Sequence, residues 1–219
     1  MAHPFAPFDL VVRTGRVELR LPTDDELVAL FDAAAEHGVH DPAEMPFMSP
    51  WTDQPADALR LGGLQWHWRC RAELSPEAWN LAFGVFVDGV PVGGQDLGAK
   101  DFRTLREVTT GSWLLRSHQG QGIGLQMRTS VLNLAFAGLG ADWARTEAFI
   151  ENAASLGVTR RLGYEPDGIS LAAPRGVVKL SRRFRMARAA WEEAHADDDV
   201  RVEGLERCLP LLGAERAAG

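Results

Sequence analysis

A mixed α/β domain is the fold class this sequence predicts, and three observations predict it. Apolar runs and amphipathic runs follow one another in the order β-α-(irregular/α)-β-β-β-α-β-α-β. A hairpin sits in the middle, around Asp88-Gly89, and crossover units follow it. The length of 219 residues suits one domain, and 46% hydrophobic against 24% charged residues is enough apolar material for a sizeable core.

Taken in order, "GRVELRL" alternates at Val17, Leu19 and Leu21 and reads as a half-buried strand. "PTDDELVALFDAAAEHG" follows with capping Thr23 or Asp24 and then Leu27, Leu30 and Phe31 at helical spacing. The proline-rich "VHDPAEMPFMSPWTDQP" predicts an irregular segment, long for a passive connection and too apolar at Phe47, Met48 and Trp51 for a solvated one. "ADALRLGGLQWHWRCRAEL" predicts a helix that Gly62 and Gly63 weaken. "AWNLAFGVFVDGVPVGGQDLGA" is the hairpin, and "REVTTGSWLL" is a third strand of the central group. "IGLQMRTSVLNLAFAGLG" carries Ile123, Met127, Val131 and Leu134 on one stripe, with Gly138 and Gly140 at its end. "WARTEAFI" is a strand, "NAASLGVTRRLGY" a short helix closed by Gly163, and "GVVKLSRRF" a last strand. The domain is expected over 1–185. A charged run and an apolar tail over 186–219 form an extension packed on the domain or on a neighbouring subunit.

A net charge of −7 argues against a nucleic-acid binder, which needs a basic face. Cys70 and Cys208 are far apart and read as thiols of a reducing compartment. No basic leader with an apolar core opens the chain, and no apolar run reaches membrane-spanning length. A cytoplasmic protein with no membrane partner is the expectation.

"HQGQGIG" joins a strand to a helix start, where backbone N–H groups lack partners and favour an anion. A P-loop requires Gly-Lys-Ser/Thr after the glycines, and Gly-Ile-Gly stands there. A dinucleotide fingerprint requires GxGxxG, and the spacing is GxGxG. What remains is Gln/Arg-x-x-Gly-x-Gly/Ala, met by Gln119, Gly122 and Gly124, or a turn whose glycines serve geometry alone.

"GSWLLRSHQGQGIG" resembles the acyl-CoA-binding motif of the GNAT superfamily of N-acyltransferases, in its ribosomal-protein-acetyltransferase-like branch. "NAASLGVTRRLGY" is similar to that branch's Asn-x-x-Ser helix, and "GRVELRLPTDDEL" to its first strand and helix. The resemblance covers roughly residues 11–185. It implies a mostly antiparallel mixed sheet, helices on both faces, and a strand that splays from its neighbour at a bulge to receive pantetheine. Carried over, the main chain of Trp113, Leu114 and Leu115 holds pantetheine, with Arg116 beside it. Gln119, Gly120, Gln121, Gly122, Ile123 and Gly124 hold the pyrophosphate, and Asn152 and Ser155 sit at the pantetheine end.

Two departures stand out: Gln119 and Gln121 occupy places where relatives carry Arg or Lys, and Thr159 occupies that of a leaving-group tyrosine. Ser155 then becomes the thiolate partner, and Tyr164 takes the packing position after Gly163. Glu107 and Glu151 are the candidate bases, with Asp96, Asp101 and His118 as further possibilities. Trp51 and His67 are the candidate acceptor-side residues, although His67 better suits a helix packed on the sheet, with the histidine at its border.

The implied reaction is acyl transfer from acetyl-CoA, or succinyl-CoA, to a primary amine, without a metal. The acceptor is a small molecule or a protein amine, and a homodimer or higher homo-oligomer is expected. A non-catalytic acyl-CoA-binding regulator is the rival.

Overall fold

The computed structural model describes residues 2–195 and 198–215; Met1, Ala196, Asp197 and 216–219, some of them in the expected C-terminal extension, lie outside the described residues. The chain opens with a hairpin, β1 (Val11–Thr14) and β2 (Val17–Arg20), turned by Gly15 and Arg16. Only its second strand is legible from alternation. Helix α1 (Asp24–His37) starts at a capping box: the Thr23 hydroxyl accepts from the Glu26 N–H, and the Glu26 carboxylate accepts from the Thr23 N–H. Helix α2 (Ala56–Ala72) runs unbroken through Gly62 and Gly63. A Cβ at Gly63 would lie 2.1 Å from the Phe31 ring, so glycine there is the condition for α1 and α2 to meet.

Strands β3 (Ala78–Val87) and β4 (Val90–Lys100) form the expected hairpin, with positive φ at both Asp88 (52°) and Gly89 (80°), as a two-residue type I′ turn demands. A one-turn α3 (Phe102–Leu105) leads to β5 (Glu107–Leu114). Then come α4 (Ile123–Asn133), β6 (Trp143–Phe149), α5 (Ala153–Arg161), β7 (Glu165–Ala172) and β8 (Lys179–Ala187). Last are α6 (Arg188–His195) and β9 (Val200–Glu203). The strand β7, with prolyl and glycyl interruptions in "EPDGISLA", escapes alternation altogether.

One mixed sheet holds all nine strands in the order β7-β8-β6-β5-β4-β3-β2-β1-β9. Every pair is antiparallel except β5 and β6, which pair in parallel only over Glu107–Thr109 with Trp143–Arg145 and then part. The splay is present, but β5 carries no bulge: its ladder with β4 keeps one register from Gly98/Thr109 to Gly93/Leu114. The nearest irregularity lies between β3 and β4, at Val85/Phe86.

Helices α1 and α2 cover one face of the sheet through Leu27, Leu30, Phe31 and Leu59. On the other face Ile123, Met127 and Val131 of α4 pack into the main core with Leu19, Phe83 and Leu97. The C-terminal segment joins this same body. Trp191 stacks on Phe136 at 5.9 Å, β9 pairs with β1, and the Trp79 indole N–H donates to Leu212 O at 2.9 Å. Strand β8 runs through position 185, so sheet and core extend across that position. Among the described residues no helix is long and apolar enough to cross a membrane.

Candidate active site

The loop between β5 and α4 is built to leave donors free. Gly120 (φ 72°) and Gly122 (φ 80°) are left-handed, and a Cβ on either would meet nothing within 4 Å. The N–H groups of Gly120, Gln121, Gly122, Ile123 and Gly124 have no acceptor among the described residues, whereas Leu125 and Gln126 N–H close onto Gly122 O. Five consecutive free donors at the positive end of a helix form a nest for a diphosphate. The residues present therefore fit the phosphates of coenzyme A, and they do so through backbone rather than side-chain charge. The Gln119 side chain points elsewhere, donating to Val39 O at 2.7 Å and Leu114 O at 2.9 Å. It ties the end of α1 to the end of β5. The Gln121 side chain donates to Ser117 O and accepts from Arg16 Nη2 at 3.2 Å.

Along the gap, the ladder decides which backbone groups are free. Leu115 N–H bonds to Val92 O. Antiparallel alternation then turns Trp113 and Gly111 toward β4, and Ser112 and Leu114 toward the gap. Of Trp113, Leu114 and Leu115, only Leu114 thus aims its main chain at the space β6 leaves, through its N–H because Gln119 holds its carbonyl, and Ser112 joins it. The Trp113 side chain, together with Trp51, Phe47 and Phe31, builds an aromatic wall on the α1 side, with ring centroids of Trp51 and Trp113 5.2 Å apart. Across the gap, Asn152 caps α5 by accepting from Ser155 N–H at 3.1 Å. The start of α4 approaches the middle of α5, where a Cβ at Gly124 would lie 3.8 Å from Val158. The Ser155 hydroxyl has no hydrogen-bond partner among the described residues. Thr159 and Tyr164 are buried, each with a hydroxyl that has no partner among the described residues, and Tyr164 packs under the Arg128 guanidinium.

The strongest titration in the site belongs to Asp96. It lies on the α1/α2 face of β4, opposite Ala82 of β3 and Gly111 of β5. Burial pushes its carboxyl up to about 7, against a hydrogen bond from Asn80 that favours the charged form. A Cβ at Gly111 would sit 3.7 Å from Asp96 Oδ2. Gly111 is solvent-exposed and lies just beyond the point where β5 leaves β6, so the missing side chain opens the carboxylate to the gap.

The other sequence candidates have different settings. Glu107 stands at the far end of β5, paired with Arg145 at 3.0 Å and Arg185 at 3.1 Å, which commits both oxygens. Glu151 is exposed in the turn after β6. Asp101 is exposed at the end of β4 remote from the glycine loop, and His118 contacts Ser117 at 3.0 Å. Arg116 is exposed beside the end of α1, its N–H bonded to Gly38 O. His67 is buried under α2, where desolvation pushes it down to about 4, and it faces the sheet at Ala82 instead of an open cleft. The irregular segment before α2 lines a cavity of about 210 Å³ with His40, Thr52, Asp53 and Arg175. Arg175 of the β7–β8 connection grips Asp53 through two bonds of 2.6 Å.

The sequence reading did not single out Ser112 or Arg16, and it placed Asp96 behind Glu107 and Glu151. Alternation along "VTTGSWLL" could have singled out Ser112; nothing local could have found Arg16, which is brought in by β1–β2.

Solved structures share this architecture. A RimJ from Mycobacterium smegmatis in complex with CoA-disulfide matches with a TM-score of 0.64 at 20% identity, over 92% of this chain and 99% of its own. A ribosomal-protein-S5-alanine acetyltransferase from Vibrio fischeri matches with 0.64 at 15%, over 83% and 98%. RimL, a ribosomal L7/L12 alpha-N-protein acetyltransferase in complex with coenzyme A, matches with 0.64 at 17%, over 81% and 97%. At these identities the likeness is one of fold. The acetyltransferase (GNAT) domain model matches residues 16–165, from β2 through the glycine loop and the gap to α5. On that match and that architecture, the chain belongs to the GNAT acetyltransferase family.

Proposed function

We propose that this protein transfers an acetyl group from acetyl-CoA to the α-amino group of a protein or peptide, with Asp96 as general base. The observation that carries the reading is Asp96 Oδ2 lying against the bare backbone of Gly111, at the mouth of the β5–β6 gap. The nest at Gly120–Gly124 holds the donor's diphosphate, and Ser112 and Leu114 offer main-chain groups along the gap. The donor, when bound, supplies an activated thioester carbonyl.

Asp96 takes the proton of the attacking amine as the nitrogen–carbon bond forms and the carbon–sulfur bond breaks. Ser155, its hydroxyl uncommitted in the first turn of α5, is assigned the return of a proton to sulfur. A base near 7 suits an α-amine, which titrates at about 8, far better than a lysine amine at about 10.4. Deprotonating the former is about 1 unit uphill and the latter about 3.4, roughly a 250-fold difference in driving force. The names of the RimL and S5-alanine acetyltransferases point the same way. Acetyl is preferred to succinyl because, among the described residues, no Arg or Lys flanks Asp96 and Gly111 in the sheet register.

Thermal shift with coenzyme A, acetyl-CoA, succinyl-CoA, NADH and ATP is the test. Coenzyme A species alone should stabilise, by about 2.7 kcal/mol at a hundredfold excess over Kd, and acetyl-CoA should then support turnover on peptides with free N-termini. Stabilisation by NADH or ATP instead, or by none, removes the assignment. Coenzyme A binding without turnover on any amine would favour the regulator.

A further inference from the structure

Resting on that reading, we infer that Arg16 in the β1–β2 turn holds the 3′-phosphate of coenzyme A and replaces the cations that the glycine loop lacks. Gln119 and Gln121 put no charge on the loop, and the Gln119 side chain is spent on Val39 and Leu114 carbonyls. Arg16 is the one cation among the described residues that hydrogen-bonds to any side chain of 119–124, through Gln121. Its guanidinium is exposed, keeps donors beyond the one given to Gln121, and forms no ion pair among the described residues.

The position is built rather than incidental. Gly15 takes the left-handed conformation (φ 58°), and a Cβ there would lie 3.3 Å from the Gln126 side chain, so the turn lies flush on the first turn of α4. Thr14 and Ser130 hydroxyls, 2.8 Å apart, fix the hairpin to the same helix.

Sheet order then selects the phosphate. The gap that receives the pantetheine arm opens between β5 and β6, flanked by α5. Strands β1 and β2 lie on the other side of β5 in the sheet. With the pantetheine arm in the gap, the nucleotide end of a diphosphate seated in the nest is free to turn toward the β1–β2 side, where Arg16 lies. A guanidinium there meets a terminal phosphate in the bidentate geometry it favours.

The test is isothermal titration of wild type, Arg16→Ala and Arg16→Lys with coenzyme A and with 3′-dephospho-coenzyme A at low salt. Wild type should prefer coenzyme A by about tenfold, Arg16→Ala should lose that preference while its affinity for the dephospho form stays within about twofold, and Arg16→Lys should keep part of it. An equal loss for both ligands, or an unaltered preference, overturns the inference while leaving the family site intact. If wild type binds neither ligand, it is the donor reading itself that falls. Unchanged melting temperatures of the free variants establish that the turn still folds.

Discussion

Replacing Asp96 by Asn tests burial and catalysis together. In an unfolded chain an aspartate titrates at about 3.9, whereas in the native state Asp96 keeps its proton to about 7. The folded form therefore binds a proton across a window where the unfolded form has released it. Stability from this group is complete below the lower value and lost as pH rises through the upper one. From about pH 5 to about pH 8 the linkage relation gives a loss of roughly 2.5 kcal/mol. Asparagine has nothing to titrate, so urea unfolding at both pH values should show wild type losing roughly that much more stability than Asp96→Asn. The kinetic arm uses kcat/KM for a peptide amine. Wild type should climb with a limb near pH 7, and the variant should fall at least about a hundredfold and lose that limb. Parallel stability curves would show that Asp96 is not desolvated as described. A retained kinetic limb would show that another group takes the proton.

Three other substitutions probe the remaining parts. Gly111→Val places methyl groups between Asp96 Oδ2 and the gap, and should cost at least about tenfold in kcat with coenzyme A affinity within about twofold, by steady-state kinetics and titration. Gly122→Asp combines a strained backbone (φ 80°) with an anion over the free N–H groups, and titration should show coenzyme A affinity reduced by about a hundredfold or more. Glu107→Gln removes ion pairs to Arg145 and Arg185 at a partly exposed site; denaturant unfolding should move by at most about 1 kcal/mol, and the pH–rate profile should keep its shape.

How much of this was legible depended on whether the determinant was local. The Asp88-Gly89 turn, the Thr23 cap and the α4 stripe are written in adjacent residues, and each appears where its pattern lies. Strand β7 was illegible because edge strands need no continuous apolar face, and its Pro166 and Gly168 coincide with a register shift against β8. Strand β9 lies in a charge-rich run that forms a strand only because β1 offers it an edge. Gly62 and Gly63 argued against a helix that tertiary contact with Phe31 requires. At the site, the glycine loop was legible as a motif, but the ranking of carboxylates was not. Glu107 and Asp96 look alike in one dimension; only the register sets one beside two arginines and the other beneath α2, facing a glycine.

The seam between β1 and β9 bears on how the chain is made. Arg13 reaches Glu203 and Arg207 reaches Asp9, so the start of the polypeptide is sealed by residues synthesised some 190 positions later. Until that last strand leaves the ribosome, β1 presents an open row of amide and carbonyl groups, and Trp79 lacks the Leu212 carbonyl that satisfies its indole. Translation of this protein therefore passes through an interval in which the glycine loop and the gap are present but the sheet has an adhesive border. A ribosome stalled near the C-terminus would release a chain prone to pair with its neighbours instead of with itself.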